Sequence, residues 1–320
     1  MKEAVLGFDT SNYRTSVAAV TPDGEMLLDL RQLLPVEQGK RGLRQSDALY
    51  LHLKQLAGMS ERIRTELKGV RIVCAAASVA PRGRPESYMP VFEAGSTMGK
   101  LTAAFLNIPF VPTDHQRGHI RAAIMGTPLE MKAGFMALHL SGGTTDLLAV
   151  RGNEISELGG SADLHAGQLV DRIGVALGLS FPAGPEMELL AEKGSAGALI
   201  GCSMERNDLI CHFSGAETKA IGWIQSDSMS RENIAREIYD LLARTIARML
   251  TAGKKETGIR EALLCGGVAS SDLFRRILLE RLDRNRAGIH VFFGDPVFCG
   301  DNAAGVALIG ADNIRENAVG

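Results

Sequence analysis

The sequence predicts an α/β protein built as two lobes. Three observations carry that prediction. A strand, a polar turn and a second strand open the chain over residues 4–20, and a strand, a Gly/Ser/Thr turn and a strand return over residues 134–150, so each half begins alike. Residues 70–79 form a continuous apolar run, the mark of a strand covered on both faces. Strands then alternate with helical stretches through the second half, as in sheets flanked by helices. The length agrees, since 320 residues is about two domains of ~150 each. The expected bounds are 1–132 and 133–320, with the last helix near 301–310 free to pack back toward the first lobe.

Taken in order, residues 4–8 are an apolar strand, 9–14 a polar turn and 15–20 its returning strand. Residues 44–67 place Leu49, Leu53, Leu56, Ile63 and Leu67 at helical spacings. After the strand at 70–79 comes a Pro- and Arg-containing loop at 80–90, a helix at 94–106 and a short strand at 109–112. In the second half, strands are expected at 135–140, 147–150, 261–264 and 288–293, and helices at 166–177, 234–252, 272–281 and 301–309.

Composition narrows the class. Apolar residues at 45% and charged residues at 22% exclude a disordered or fibrous chain. The net charge of −2 excludes a strong general pull toward nucleic acid or anionic lipid, so RNA would have to meet a local patch. Glu3 and Asp9 break the start that a secretory signal needs, and no stretch approaches the ~18 apolar residues of a membrane span. Cys74, Cys202, Cys211, Cys265 and Cys299 are scattered and form no CxxC pair. They read as reduced thiols of a cytoplasmic protein.

Several segments can carry chemistry. The turn Ser141-Gly142-Gly143-Thr144-Thr145-Asp146 lets main-chain N–H groups converge on an anion, although such a turn also serves an ordinary hairpin. Cys265-Gly266-Gly267-Val268-Ala269-Ser270-Ser271 follows a strand and opens a helix, where negative charge is attracted. Phe181-Pro182-Ala183-Gly184-Pro185 can form a flat wall against a base or ribose. Three such elements argue for a nucleotide cleft. His115 and His119 stand four apart, so on a helix both imidazoles can hold one metal, although a pair at this spacing also arises as a surface accident. Gln116 excludes the HExxH protease, which needs Glu there as base. A third ligand is required, and Asp301 before the last helix is the best choice, a helix N-cap being its other reading. Asp171 either grips ribose hydroxyls or pairs with Arg172 or a neighbouring helix, and Glu188 has the same two readings. Arg82-Gly83-Arg84 and Lys40-Arg41 can meet phosphates or simply lie in solvated loops.

In this order along nearly the whole chain, the segments resemble the TsaD family of tRNA threonylcarbamoyltransferases, members of the actin-like ATPase (ASKHA) fold group. Phe8-Asp9-Thr10-Ser11 is similar to its first phosphate turn, His115 and His119 to its metal histidines, and Ser141-Gly142-Gly143 to its second turn. Residues 167–171 with 181–185 resemble its nucleoside stretch, and Phe213-Ser214-Gly215 with Thr218 its FSG-x-x-T element. Gly266-Gly267-Val268-Ala269 resembles the adenosine motif and Asp301-Asn302-Ala303-Ala304 the terminal metal motif.

The resemblance implies two actin-like lobes around a nucleotide cleft. It implies one divalent metal, iron or zinc, on His115, His119 and Asp301. The backbone of His139, Leu140, Ser141, Gly142 and Gly143 would contact a threonylcarbamoyl adenylate, with ATP as the related ligand. Asp171, Gly184, Glu188, Gly267 and Ser271 would hold its nucleoside part, and no catalytic side chain distinct from the metal ligands is expected. The implied reaction moves threonylcarbamoyl to N6 of an adenosine in tRNA, with help from partner proteins or within a homo- or heterodimer. Departures mark a diverged member or paralogue. Tyr13 and Arg14 follow the first turn where acids are usual, Arg117 replaces an acid, Thr144 stands for His or Asn, and Ser271 for Asn. The loops at residues 42–46 and 81–85 are also replaced. Two alternatives stay open: the same chemistry on another acceptor, or a non-catalytic nucleotide-binding partner subunit.

Overall fold

From Ala4 onward the first strand is buried at every position, which requires cover on both faces of its sheet. The computed structural model provides that cover and describes every residue except 12, 36–42, 84–85, 153, 301 and 320. Strand β1 (Lys2–Ser11) pairs antiparallel with β2 (Arg14–Val20), and β2 with β3 (Met26–Leu33). On its other side β1 runs parallel to β4 (Val70–Ala80), and β4 to β5 (Phe110–Asp114). Ala4, Leu6 and Phe8 point to one face, against Leu56 and Met59 of α1 (Gln45–Glu66) and Ala94 of α2 (Phe92–Leu106). Val5 points to the other, against Ala304, Ala307 and Ala311 of α9 (Ala304–Val319). Helix α3 (His115–Ala123) follows β5 directly and packs on α9.

The second sheet repeats this plan. β6 (Phe135–Leu140), β7 (Thr145–Arg151) and β8 (Glu154–Ser161) form an antiparallel meander. β6 is also parallel to β11 (Glu261–Cys265), and β11 to β12 (His290–Phe293). The order β8-β7-β6-β11-β12 therefore matches β3-β2-β1-β4-β5 strand for strand. The short strands β9 (Ser203–Glu205) and β10 (Ile210–His212) extend the β8 edge. Helices α4 (Ala166–Ala176), α5 (Gly184–Ala191), α6 (Ser214–Ser226), α7 (Arg231–Thr257) and α8 (Asp272–Arg284) complete this part. Ile238, Leu242, Ile246 and Leu250 of α7 pack with Met136, Leu138 and Leu140 of β6 in one core.

The chain divides into a unit of Met1–Met125 with Val297–Gly320 and a unit of Gly126–Pro296. The boundary falls seven residues before the expected 132/133, and everything from Val297 on belongs to the first unit. The physical reason is the small apolar face of α9, which buries Ala304, Ala307 and Ala311 on β1, β2 and β4. Helix α7 also outruns its expected span of 234–252: the Ser230 hydroxyl caps its start by accepting from Asn233 N, and Gly258, at φ +76°, ends it in the left-handed conformation. The last helix starts at Ala304 rather than 301, because the Asn302 side chain accepts from Ala304 N at 2.9 Å and forms the turn before it. No disulfide joins the five cysteines. Among the described residues no helix is long and apolar enough to cross a membrane.

Candidate functional site

Asp114 caps α3, accepting from Arg117 N at 2.9 Å, so the helix starts at His115 and brings His119 onto the same face one turn later. The Arg117 guanidinium pairs with the Asp114 carboxylate at 3.1 Å, so the basic residue that replaces the family's acid serves the helix start. The His115 and His119 Nε2 atoms lie 2.9 Å apart. His115 Nδ1 lies 2.9 Å from Asp9 Oδ2, and Ser11 Oγ donates to that same oxygen at 3.0 Å. Asp9 is fully buried, and its Oδ1 has no hydrogen-bond partner among the described residues.

This donor set fits a metal. A carboxylate on Nδ1 holds the tautomer whose Nε2 carries the lone pair, as the second shell of a metal-bound histidine does. Two Nε2 atoms around one Zn²⁺ at ~2.0–2.1 Å would stand about 3.3 Å apart, close to the spacing found. Asp301, the expected third ligand, lies outside the described residues, as do Lys40, Arg41 and Arg84 of the basic segments. Among the described residues no three His, Cys, Asp or Glu side chains converge as a complete metal site.

The second unit holds a cavity of about 500 Å³. Seven expected residues line it: Ser141, Gly142, Asp171, Gly184, Glu188, Gly267 and Ser271. Three of its glycines are informative because neither backbone conformation nor a packed neighbour requires them. A Cβ added at Gly142, Gly184 or Gly267 would meet no atom within 4 Å, and none of the three has a positive φ. Side chains there would meet open space at the cavity wall. Gly167 differs: it opens α4 against the Ser141–Gly142 turn, and a Cβ would stand 2.5 Å from Gly142 N.

Hydrogen bonds brace the walls. Asp171 Oδ1 accepts from Ala183 N at 2.8 Å, which ties the Pro182–Gly184 wall to α4. Asp171 does not pair with Arg172, whose guanidinium meets Glu217 at 3.3 Å, because successive helical residues face different ways. Glu188 Oε1 accepts from Leu273 N at 2.8 Å, and Ser271 Oγ accepts from Phe274 N at 3.1 Å, so both satisfy the start of α8 at the cavity wall. The Tyr239 hydroxyl donates to Gly184 O at 3.2 Å. Burial, and then the charge of Glu188, pushes its phenol above the ordinary range, so it stays a neutral donor.

Three expected residues do not line the cavity. The Leu140 side chain is buried in the core, Gly143 stands outside the lining, and His139 points to the opposite sheet face. Sequence reasoning missed Tyr239, which is one more core position of a long amphipathic helix, and missed Asp9 as the partner of His115. The first had no signal in the sequence. The second had one, an acid inside an apolar strand.

Comparisons with known proteins bear on this arrangement. Residues 87–308 match the family TsaD, tRNA N6-adenosine threonylcarbamoyltransferase, a family of carbamoyl-type transferases. Among solved structures, HypF from T. kodakarensis superposes with a TM-score of 0.61 at 14% identity, over 98% of this chain and 48% of its own. A full-length HypF in the phosphate- and nucleotide-bound form gives 0.61 at 13% identity, over 100% of this chain and 56% of its own. This chain thus spans about half the length of either HypF. The ROK hexokinase from Thermus thermophilus gives 0.58 at 15% identity, over 98% and 99% of the two chains. At such identities the likeness shows the fold, which is the actin-like ATPase (ASKHA) fold.

Proposed function

We propose, from the premise that this chain belongs to the TsaD family of tRNA N6-adenosine threonylcarbamoyltransferases, that it moves a threonylcarbamoyl group from an adenylate to N6 of an adenosine in tRNA. The observation that supports this most is the cavity kept open by Gly142, Gly184 and Gly267, where glycine serves neither backbone conformation nor packing. A ligand with a flat base and a ribose fits that space, with Asp171 and Glu188 at hand for its hydroxyls. The nucleotide bound to one HypF supports a nucleotide site here.

His115 and His119, oriented by Asp9, would hold a divalent iron or zinc, with Asp301 as the third ligand that the family resemblance implies. When bound, that metal supplies a Lewis acid that polarises the carbamoyl carbonyl. Gly142 and Gly267 of the two glycine turns line the cavity, where their main-chain N–H groups would meet the anionic part of the adenylate and help orient its carbonyl for attack.

Incubation with threonine, bicarbonate, ATP, an adenylate-forming enzyme, partner proteins and unmodified tRNA, followed by nucleoside mass spectrometry, tests the reading. Threonylcarbamoyladenosine is the expected product, and its absence overturns the tRNA assignment. The net charge of −2 favours a second reading, the same transfer to a small-molecule or nucleoside acceptor. Adenylate binding without tRNA affinity would select it. The reaction belongs in the cytoplasm, where its nucleotide and tRNA substrates are.

A further inference from the structure

We propose that a second cavity of the Gly126–Pro296 unit binds a small phosphorylated molecule that also carries hydroxyl groups, such as a sugar phosphate. This site shares no lining residue with the cavity at Gly142, Gly184 and Gly267, and it does not depend on the transfer reading.

The cavity measures about 850 Å³, within the range of small-molecule sites. Helix α7 supplies one wall. Arg244, Arg248, Thr251 and Lys255 follow one another at steps of four, three and four, so they share a face of the helix. Arg281 and Asn285, four residues apart at the end of α8, supply the second wall. Asn207 and Asp208, in the turn between β9 and β10, supply the third.

Four cations and two carboxylates, Asp208 and Glu256, line this cavity, and their pairing is incomplete. Asp240 accepts from Arg244 Nε at 2.7 Å and from Arg281 Nη2 at 2.5 Å, so one carboxylate serves two guanidiniums. Arg244 also donates to the Ile200 carbonyl at 2.7 Å and to Cys202 Sγ at 3.4 Å, a weak acceptor. The Lys255 side chain has no ion pair or hydrogen bond among the described residues. Arg281 Nε is buried and likewise has no hydrogen-bond partner among them. Folded chains rarely leave a buried guanidinium donor unmet, so an unmet one on a cavity-lining residue points to an acceptor from outside.

The turn facing these cations is strained. Arg206, Asn207 and Asp208 stand at φ +49°, +55° and +69°, three residues in succession in the left-handed region without a glycine. Such backbone persists where its surroundings hold it, and it gathers at binding sites. Here Arg248 holds it, donating to Asp208 from Nε at 3.2 Å and from Nη2 at 2.7 Å.

The donors select phosphate. Planar guanidiniums give paired hydrogen bonds to its oxygens, and Lys255 adds a point charge. The carboxylates argue against a nucleic-acid backbone. Asp208 and Glu256 would repel a run of phosphodiesters, whereas on a compact ligand they accept from hydroxyls beyond its single phosphate.

Calorimetric titration of the full chain with ribose 5-phosphate, beside inorganic phosphate and ribose, tests the site. Saturable binding of ribose 5-phosphate with a Kd below about 1 mM is expected, with inorganic phosphate weaker and ribose silent. Lys255→Glu should lower that affinity at least about tenfold, because an attraction becomes a repulsion, and its exposed position leaves the fold intact. Arg281→Lys, which keeps the charge and loses the fork, should lower it at least about threefold. Gly267→Leu, which fills the other cavity, should change nothing here. No saturable binding of either phosphate probe at about 10 mM overturns the proposal. Binding that Gly267→Leu removes and Lys255→Glu leaves also overturns it, because the probe then sits in the other cavity. A wild type that binds tRNA but neither phosphate probe, with tRNA affinity lost in Lys255→Glu, makes this surface an RNA contact and overturns it as well.

Discussion

In the first unit, polar groups run from buried Asp9 to His115 to His119 over two contacts of 2.9 Å. In the second, the cavity is bounded by Gly142, Gly184 and Gly267, whose missing side chains would touch nothing. One region is made of donor atoms and the other of space. A donor site fails when an atom is removed, and a space site fails when one is added. The two regions therefore predict opposite responses to substitution, and each can be broken without the other.

The largest expected effect is His119→Ala. Metal content by elemental analysis should collapse by more than the roughly 100-fold that losing an outer partner costs, with nucleotide affinity of the cavity untouched. Retained metal would mean that the pair is not a ligand set. Next is Gly167→Ala, whose Cβ meets backbone at 2.5 Å. Thermal unfolding should show a loss of about 2–3 kcal/mol, since both the turn and α4 would have to shift. Asp9→Asn should weaken metal binding by about 10–100-fold in a chelator competition while leaving both histidines in place. Gly267→Leu should lower nucleotide affinity at least tenfold in calorimetry but move stability by no more than about 0.5 kcal/mol. A large stability loss there would show that the glycine serves the fold.

The smallest effect is on acid stability. Burial raises the Asp163 carboxyl, but hydrogen bonds from the Ser214 hydroxyl and from Phe213, Leu164 and Ser214 N–H overcome it and hold it at about 2. A carboxyl depressed below its unfolded value of ~3.9 contributes stability above about pH 4. That contribution should fade as the pH falls from about 4 to about 2. Asp163→Asn should flatten the loss and cost about 1 kcal/mol at neutral pH, because the carboxylate caps the start of α6. A variant with the same acid transition as the wild type would remove Asp163 from this role.

The periodicity of the chain carried much of the architecture. Residues 135–140 read as a strand and are β6 to the residue, because a strand buried at nearly every position leaves a short continuous apolar run. The glycine turns were legible as motifs, and so were His115 and His119, whose spacing is local. Capping was less visible: Ser230 and Gly258 lengthen α7 beyond its apolar core, and Asn302 delays α9. The edge strands β9 and β10, three residues each, have too few positions to show a period.

What one stretch of chain dictates is local: strand or helix, turn chemistry, and two histidines one helical turn apart. These follow from backbone sterics and side-chain period, which act over a few residues. Long-range choices needed the packed chain. Packing brought Asp9 to His115 across 106 positions, carried α9 back to β1, and set Tyr239 beneath Gly184. Each depends on which apolar faces bury one another, and burial is a property of surfaces that meet only once the chain is folded.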